Sequence, residues 1–268
     1  MPKMIFAVDE RLFCLFMHKI LIFLSVLLWC GAVNAAEIPS YDTAWLKLLH
    51  YHKTLNGYQC LVENQEFYIS ADGRNNPQAE FAAEIEAFSK GNAKCRFPAR
   101  FNYLKQLGKV HGDLSGCKDY QQFMHDVRPN GITILFTNAY MSNPASLFGH
   151  TLVRIDTARK GTQMLAHGSN FGADSGTEHG MMFAIKGLFG GYLGVYSVSP
   201  YWEIINTYNN IENRDIWEYS LNLTDEEKQK FADHLYEMRQ AKIRYYFLSK
   251  NCSYLILELL EAVRPSLE

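Results

Sequence analysis

A thiol and an imidazole far apart in the chain, Cys252 and His150, are the residues whose types and settings suggest joint chemistry. Cys252 follows Asn251, a good helix N-cap, and Leu255, Ile256, Leu259, Leu260 and Val263 continue at helical spacing until Arg264 and Pro265 close the segment. The thiol therefore falls in the first turn of a helix, where unpaired backbone N–H groups and the helix dipole favour an anion. A cysteine so placed can ionise well below the ordinary thiol value of about 8.5, and the same N–H groups can receive an oxyanion. Taken alone, the position is better explained by a cysteine that packs in a core or forms a disulfide. It becomes a nucleophile only if a base is brought to it.

His150 is the best base, because it stands where a glycine-containing loop enters a strand, FGHTLVRI (148–155). If this strand pairs with MLAHGSNF (164–171) around TARKGTQ, with Asp156 opposite Met164, Asn170 comes opposite His150. Such neighbours share a face at about 5 Å. Asn170 would then fix the tautomer of the imidazole, the orienting role in cysteine-nucleophile triads. A slip of one residue would put Ser169 there instead. Without a nucleophile, His150 reads as a hydrogen-bonded, half-buried histidine. His150, His167 and His179 lack the close spacing and neighbouring carboxylate of a zinc site, so no metal and no cofactor is expected. His50 and His52, two apart on a predicted helix, point in different directions and read as surface residues.

The elements that must hold these residues can be read in outline. Trp45, Leu48, Leu49 and His52 fall on one side of a predicted helix over 41–57. A short strand at 67–70, a turn on ADGRNNP and a helix over about 78–90 follow, and CRFPARFNYL leads into another helix. ITILFTNAY (132–140) is β-branched and aromatic and reads as a buried strand. The glycines of KGLFGGYLGVYSV (186–198) leave little room for a helix and suggest close backbone approach. Thr224 and Glu227 have capping-box spacing, with Phe231, Leu235 and Met238 on one face, and IRYYFLS (243–249) is a last strand before Cys252. The order predicts an α+β fold: an antiparallel sheet packed on helices over 131–268, preceded by a mostly helical lobe over 36–130.

The first 35 residues belong elsewhere. MHKILIFLSVLLWCGAVNA (17–35) has a basic start, an apolar run from Ile20 to Trp29 and small residues at Val33 and Ala35, the pattern of a signal peptide cleaved after Ala35. The run is shorter than the ~20 residues of a membrane span. Bulky Trp29 before Cys30 argues against a lipoprotein anchor, and residues 1–16 look like an upstream extension. A formal net charge of −2 gives no basic footprint for nucleic acid. Export leaves Cys60, Cys95, Cys117 and Cys252 in an oxidising compartment, where disulfides are expected. The sequence does not fix the pairing; Cys95 with Cys117 is the pairing carried forward.

The succession SNPASLFGHTLVRI, SNFGAD, KGLFGGYLGVYSVSPYW, NRDIWEYSLNLT and YYFLSKNCSYLI, with CRFPARFNYL upstream, resembles the N-terminal periplasmic domain family of Lnb, a lipoprotein N-acyltransferase. The likeness runs over roughly 40–265. That family in turn looks like the permuted, papain-like NlpC superfamily, in which a strand histidine precedes a cysteine at a helix start. The resemblance implies a permuted papain-like core with Cys252 as nucleophile, His150 as base and then acid, Asn170 as the third polar residue, and Asn251 supporting the nucleophile. It implies an exported, periplasmic acyltransferase, peripheral to a membrane, that takes acyl chains from a phospholipid or lipoprotein and passes them to lipoprotein amino termini. An NlpC-like amidase or peptidase acting on cell-wall peptides, and a non-catalytic binding domain, are the alternatives.

Overall fold

The computed structural model describes residues 39–140, 146, 149–158, 161, 163–176, 178 and 180–267. The expected signal region, residues 1–35, lies outside them. The chain from Pro39 onward packs as one compact unit. Its first helix, α1 (Thr43–Leu48), is capped by Asp42 and is much shorter than the predicted one. His50 takes a left-handed conformation (φ 54°), and the chain turns into a hairpin of β1 (Tyr51–Thr54) and β2 (Gly57–Cys60). Its two-residue loop is Leu55-Asn56, and Gly57, with φ 132°, takes the position after it. His50 is consequently fully buried, not a surface residue, and His52 is half-exposed on a strand.

The segment expected as a strand at 67–70 is a 3₁₀ turn over Gln65–Phe67 followed by bends, because Ile69 and Ser70 give their N–H groups to Glu80 instead of to a sheet. The helix predicted over about 78–90 is present as α2 (Pro77–Lys90), which Asn76 caps with a proline in the first turn. α3 (Pro98–Gln106) and α4 (Lys118–Val127) follow, and a Cys95–Cys117 disulfide ties the segments before them together. α3 brings Arg100 into the core, where its guanidinium meets Glu84 at 2.9 Å, Glu237 at 3.1 Å and Glu80 at 3.7 Å, all of them fully buried.

The second half holds a six-stranded antiparallel sheet in the order β7-β3-β4-β5-β6-β8. Its members are β3 (Gly131–Thr137), β4 (His150–Asp156), β5 (His167–Ala173), β6 (Tyr192–Pro200), β7 (Ile216–Ser220) and β8 (Ile243–Tyr245). With the helices around it this is the α+β architecture the sequence predicted. Ile132, Val153, Ile155 and Phe171 face the main core with α7 (Asp225–Met238) and α8 (Cys252–Val263). Leu135 and Leu152 face the opposite side, under Tyr201 and Ile204 of the short helix α6 (Tyr201–Ile205). The capping box at Thr224 and Glu227 starts α7 as expected.

Further details differ from the sequence reading. The glycine-dense stretch is entered by a helix, α5 (Gly180–Leu188), before β6 begins. Gly187 permits this: a Cβ there would lie 2.1 Å from the ring of Phe247. The register between β4 and β5 also differs, for Val153 pairs with Ser169 and Ile155 with His167. A 3₁₀ turn over Gln163–Leu165 occupies what was read as the start of the strand. Met164 therefore is not opposite Asp156, and Asn170 stands diagonal to His150 instead of directly across. The shift is of two residues, so every side chain keeps its face.

Candidate active site

The first turn of α8 carries Cys252. Asn251 makes that turn: its side chain accepts from the Tyr254 N–H at 3.3 Å and donates to the Phe247 carbonyl at 3.1 Å. Both ends of the amide are thus committed to shaping the turn. The helix lies on the Val153 side of the sheet, and its start reaches the beginning of β4, where the Thr151 and Ser253 hydroxyls are 2.7 Å apart. Thr151 and His150 are consecutive strand residues with opposite facing. His150 consequently stands on the Leu152 side, at the end of the sheet where α8 begins.

Gly149 makes this placement possible. It has φ +89°, and a Cβ there would come within 2.6 Å of the Thr137 carbonyl and 2.7 Å of the Phe136 ring. Only glycine tolerates both demands.

The imidazole of His150 is fixed from several sides. Its Nε2 lies 2.5 Å from Asn170 Oδ1. An amide oxygen only accepts, so this contact puts a proton on Nε2 and leaves Nδ1 for the thiol. The ring stacks on Tyr208 with centroids 5.8 Å apart and planes 22° apart. Tyr208 belongs to a π-helical turn over Asn206–Ile211, and the guanidinium of Arg214 lies 5.1 Å from its ring. Arg214 is itself buried and holds Thr137 and Glu212, and Thr137 contacts the His150 carbonyl at 3.4 Å.

Electrostatics separate the two free cysteines. Burial pushes the Cys60 thiol up to about 11, and its Sγ donates to the Leu49 carbonyl at 2.8 Å, the setting of a packed structural thiol. Cys252 is also buried, which by itself would raise its thiol. The hydrogen bond and charge of His150, the Thr151 backbone and the Ser253 hydroxyl outweigh burial and lower it to about 7. Tyr245 is hydrogen-bonded to Cys252, and burial followed by the thiol's charge pushes its phenol up, so it remains a donor. Burial likewise pushes Tyr208 up to about 12, with Cys252 among the charges it meets.

The structure thus brings together Cys252, His150 and Asn170, with Asn251 shaping the turn beneath them. It adds Tyr245, Tyr208 and Thr151, which sequence reasoning missed. Tyr245 sits in the predicted strand just before the helix of Cys252, and that nearness was its one available signal. Tyr208 had none, since its approach depends on a turn that folds back over the sheet. Cys95 and Cys117 form the disulfide carried forward from the sequence and stand apart from these residues in the chain. His167 borders the β4–β5 side of the sheet with a depressed imidazole, caused by burial, and His179 lies outside the described residues. Among the described residues no group of three or more His, Cys, Asp or Glu side chains could hold a metal ion.

A thiol poised to ionise, an imidazole held in one tautomer and a helix N-terminus equip this site for nucleophilic attack on a carbonyl. The family model described as the Lnb N-terminal periplasmic domain matches residues 119–268, which contain all these groups. A second model, a domain of unknown function (DUF7843), matches residues 40–107. No curated protein and no solved structure gives a significant match to the chain.

Proposed function

The chain belongs to the Lnb N-terminal periplasmic domain family, which makes it a periplasmic protein, and on that premise we propose that it is a cysteine acyltransferase working through a thioester on lipoprotein amino termini. The observation that carries the reading is the lowered thiol of Cys252 beside a His150 oriented by Asn170. In this reading the core is a permuted papain-like one, with the base on a strand that precedes the nucleophile's helix.

The thiolate attacks an ester carbonyl of a phospholipid or lipoprotein. The developing oxyanion is received at the start of α8, beside the Tyr245 hydroxyl. Collapse of the tetrahedral intermediate breaks the ester C–O bond, and the His150 imidazolium protonates the departing alkoxide as an alcohol. The amine of the acceptor then attacks the thioester while His150 takes its proton. The amide forms, the C–S bond breaks, and the thiolate returns to its starting state.

Surface chemistry supports a lipid setting. Met181, Met182, Ile185 and Leu188 of α5, with Phe189 beyond it, are exposed along one helix face, while Phe183 and Gly187 are buried. The Phe247 N–H bonds the Gly187 carbonyl at 3.0 Å, so the helix is anchored to the loop that leads into Cys252. Among the described residues no helix is long and apolar enough to cross a membrane. The reading is therefore of a domain that works peripherally at a membrane surface.

The test supplies the mature protein with a labelled diacyl phospholipid or diacyl lipopeptide, with a lipopeptide bearing a free N-terminal cysteine as acceptor. Label should appear in amide linkage on the acceptor amine. Cys252→Ser should abolish it, and Asn170→Ala should slow it on the order of 100-fold if misorientation of the base is its cost. Cleavage of cell-wall peptides without transfer would move the protein to the amidases. Neither reaction, with Cys252→Ala tolerated in cells, would make it a binding domain.

A further inference from the structure

The six-stranded sheet has two edges, and the chain treats them differently. At β8 the edge is closed: Val62 bridges Ile243, and the Glu63 N–H donates to the Lys242 carbonyl at 2.8 Å. At β7 it is open. Trp217, Glu218, Tyr219 and Ser220 are all exposed, and among the described residues no backbone group pairs with the side of β7 away from β3. Open edges are ordinarily blunted by lysine, proline or a bulge, and IWEYS (216–220) has none of these. Its one charge, Glu218, shares the face of Leu135, where Arg154 and Tyr201 hold it at 2.7 and 2.9 Å.

The hydrogen bonds at the two ends of β7 set its alternation. The Leu221 N–H donates to the Ile132 carbonyl at 2.8 Å, and the Asn138 N–H to the Asp215 carbonyl at 3.2 Å. In an antiparallel ladder such bonded pairs recur at every second residue. Trp217 and Tyr219 therefore bond to β3, and the N–H and C=O groups of Ile216, Glu218 and Ser220 point outward. A row of alternating donors and acceptors is complementary to an extended polypeptide, whereas an acyl chain offers neither.

The open edge is continuous with the candidate site. Trp217 is paired with Phe136, and Phe136 with Thr151, so the three share the α8 face of the sheet. Thr151 meets Ser253, the residue after Cys252, at 2.7 Å. Trp217 is 45% exposed and Phe136 38%, with their rings 6.0 Å apart. An uncovered aromatic surface thus leads from the edge towards Cys252. A strand added to β7 would lie three spacings of ~4.8 Å from β4, roughly 14 Å, which about four extended residues span at ~3.3 Å each.

We propose that the outer edge of β7 receives an extended segment of a polypeptide substrate, whose first residues cross Trp217 and Phe136 to bring its amino terminus to Cys252. Ile216 pairs with Thr137, which pairs with His150, so the site lies at the Ile216 end and the segment runs parallel to β7. A second copy of this chain would pair through only five residues a side, against the ~20–30 of a stable interface. That the amino terminus is an acyl acceptor rests on the acyltransferase reading; that the edge holds a peptide does not.

Fluorescence anisotropy of the mature protein with a synthetic peptide, dye-labelled at its C-terminus, tests the docking. The probe carries about four Ser-Gly residues ahead of about six alternating Thr and Val residues, enough to cross the aromatic surface and cover the edge. Saturable binding is expected, equally strong in Cys252→Ala protein. N-methylating every second residue of the Thr-Val run should weaken binding at least tenfold in one phase and leave it unchanged in the other, since only alternate groups face β7. Ser220→Pro removes an outward N–H and no bond to β3, and Thr133, which loses a 3.3 Å contact, keeps Asp156. It should weaken binding at least tenfold while Cys252 alkylation stays as in wild type. Trp217→Lys should weaken binding several-fold. In transfer assays, KM should fall as lipopeptide acceptors lengthen past about eight residues, and Ser220→Pro should cancel that fall with kcat unchanged. No saturable binding, or binding indifferent to N-methylation and to Ser220→Pro, overturns the proposal. So does sedimentation of the chain alone as a dimer that Trp217→Lys dissolves, which would give the edge to a second copy. Peptide bound with no acyl group transferred would overturn the acyltransferase reading and leave the docking in place.

Discussion

At the scale of single residues, the decisive contrast is between two buried free thiols with opposite fates. Cys60 meets a backbone carbonyl and is pushed up to about 11, while Cys252 meets an imidazole and falls to about 7. Alkylation of the purified protein, followed by mass spectrometry between pH 5 and 9, should read this directly. Labelling of Cys252 should rise as pH passes through about 7 and then level off. Cys60 should stay unlabelled until the protein is denatured. His150→Ala removes the largest lowering influence and leaves only the Thr151 backbone and the Ser253 hydroxyl against burial, so the midpoint should move up towards that of Cys60. The same ionisation bears on stability. Because the folded thiol ionises more readily than the unfolded one, its contribution is present above the unfolded value and is lost as pH falls through about 7. A labelling profile with an ordinary thiol midpoint, or one indifferent to His150, would remove the nucleophile from the site.

At the scale of elements, the positions of the chemical groups depend on how strands and helices start. The start of α8 was legible because an N-cap and an apolar stripe are local signals, and residue types gave β4 its full extent. Asn170 was found through a register that is off by two, since the turn between β4 and β5 contains a 3₁₀ segment that residue types do not announce. The contact survived because an even shift preserves the face. α5 was missed because its last residues fall in the glycine-dense stretch read as leaving little room for a helix, although Gly187 is a packing surface for Phe247. Gly149→Ala tests the idea that the entry to β4 sets the base. A methyl group there meets the Thr137 carbonyl at 2.6 Å in a conformation that only glycine takes readily. The expected cost is about 1–3 kcal/mol in urea unfolding, with loss of the enhanced Cys252 labelling because His150 is displaced. In the N-terminal part, Cys95 and Cys117 are 22 residues apart in sequence. Opening that loop should cost roughly 3 kcal/mol of unfolding free energy by the chain-entropy relation. Cys95→Ser/Cys117→Ser protein measured by urea denaturation supplies the number, and labelling of Cys252 should be unchanged, because the bridge lies outside the site.

At the scale of the whole molecule, the distribution of apolar surface bears on the proposal that the protein works at a membrane. Most of the large apolar side chains are gathered into the main core, yet α5 leaves a continuous stripe outside, with Met181 and Phe189 each 80% exposed. Lys186, on the same helix, is held by Glu178 at 2.6 Å, so the stripe is flanked by a neutralised pair rather than by a basic patch. Attraction to a bilayer would then come from apolar insertion more than from surface charge, and its salt dependence should be weak. Co-sedimentation of the mature protein with phospholipid vesicles should show binding that changes little between low and physiological salt. Met181→Asp together with Phe189→Asp should reduce it at least tenfold, while leaving both the thermal midpoint and Cys252 alkylation in solution as they are, because neither side chain is packed. Turnover on a water-soluble thioester should be retained by that variant, and turnover on vesicle-borne acyl donors lost. If both substrates were processed at wild-type rates, α5 would have no part in reaching the lipid, and the acyl donor would have to come to Cys252 by another face.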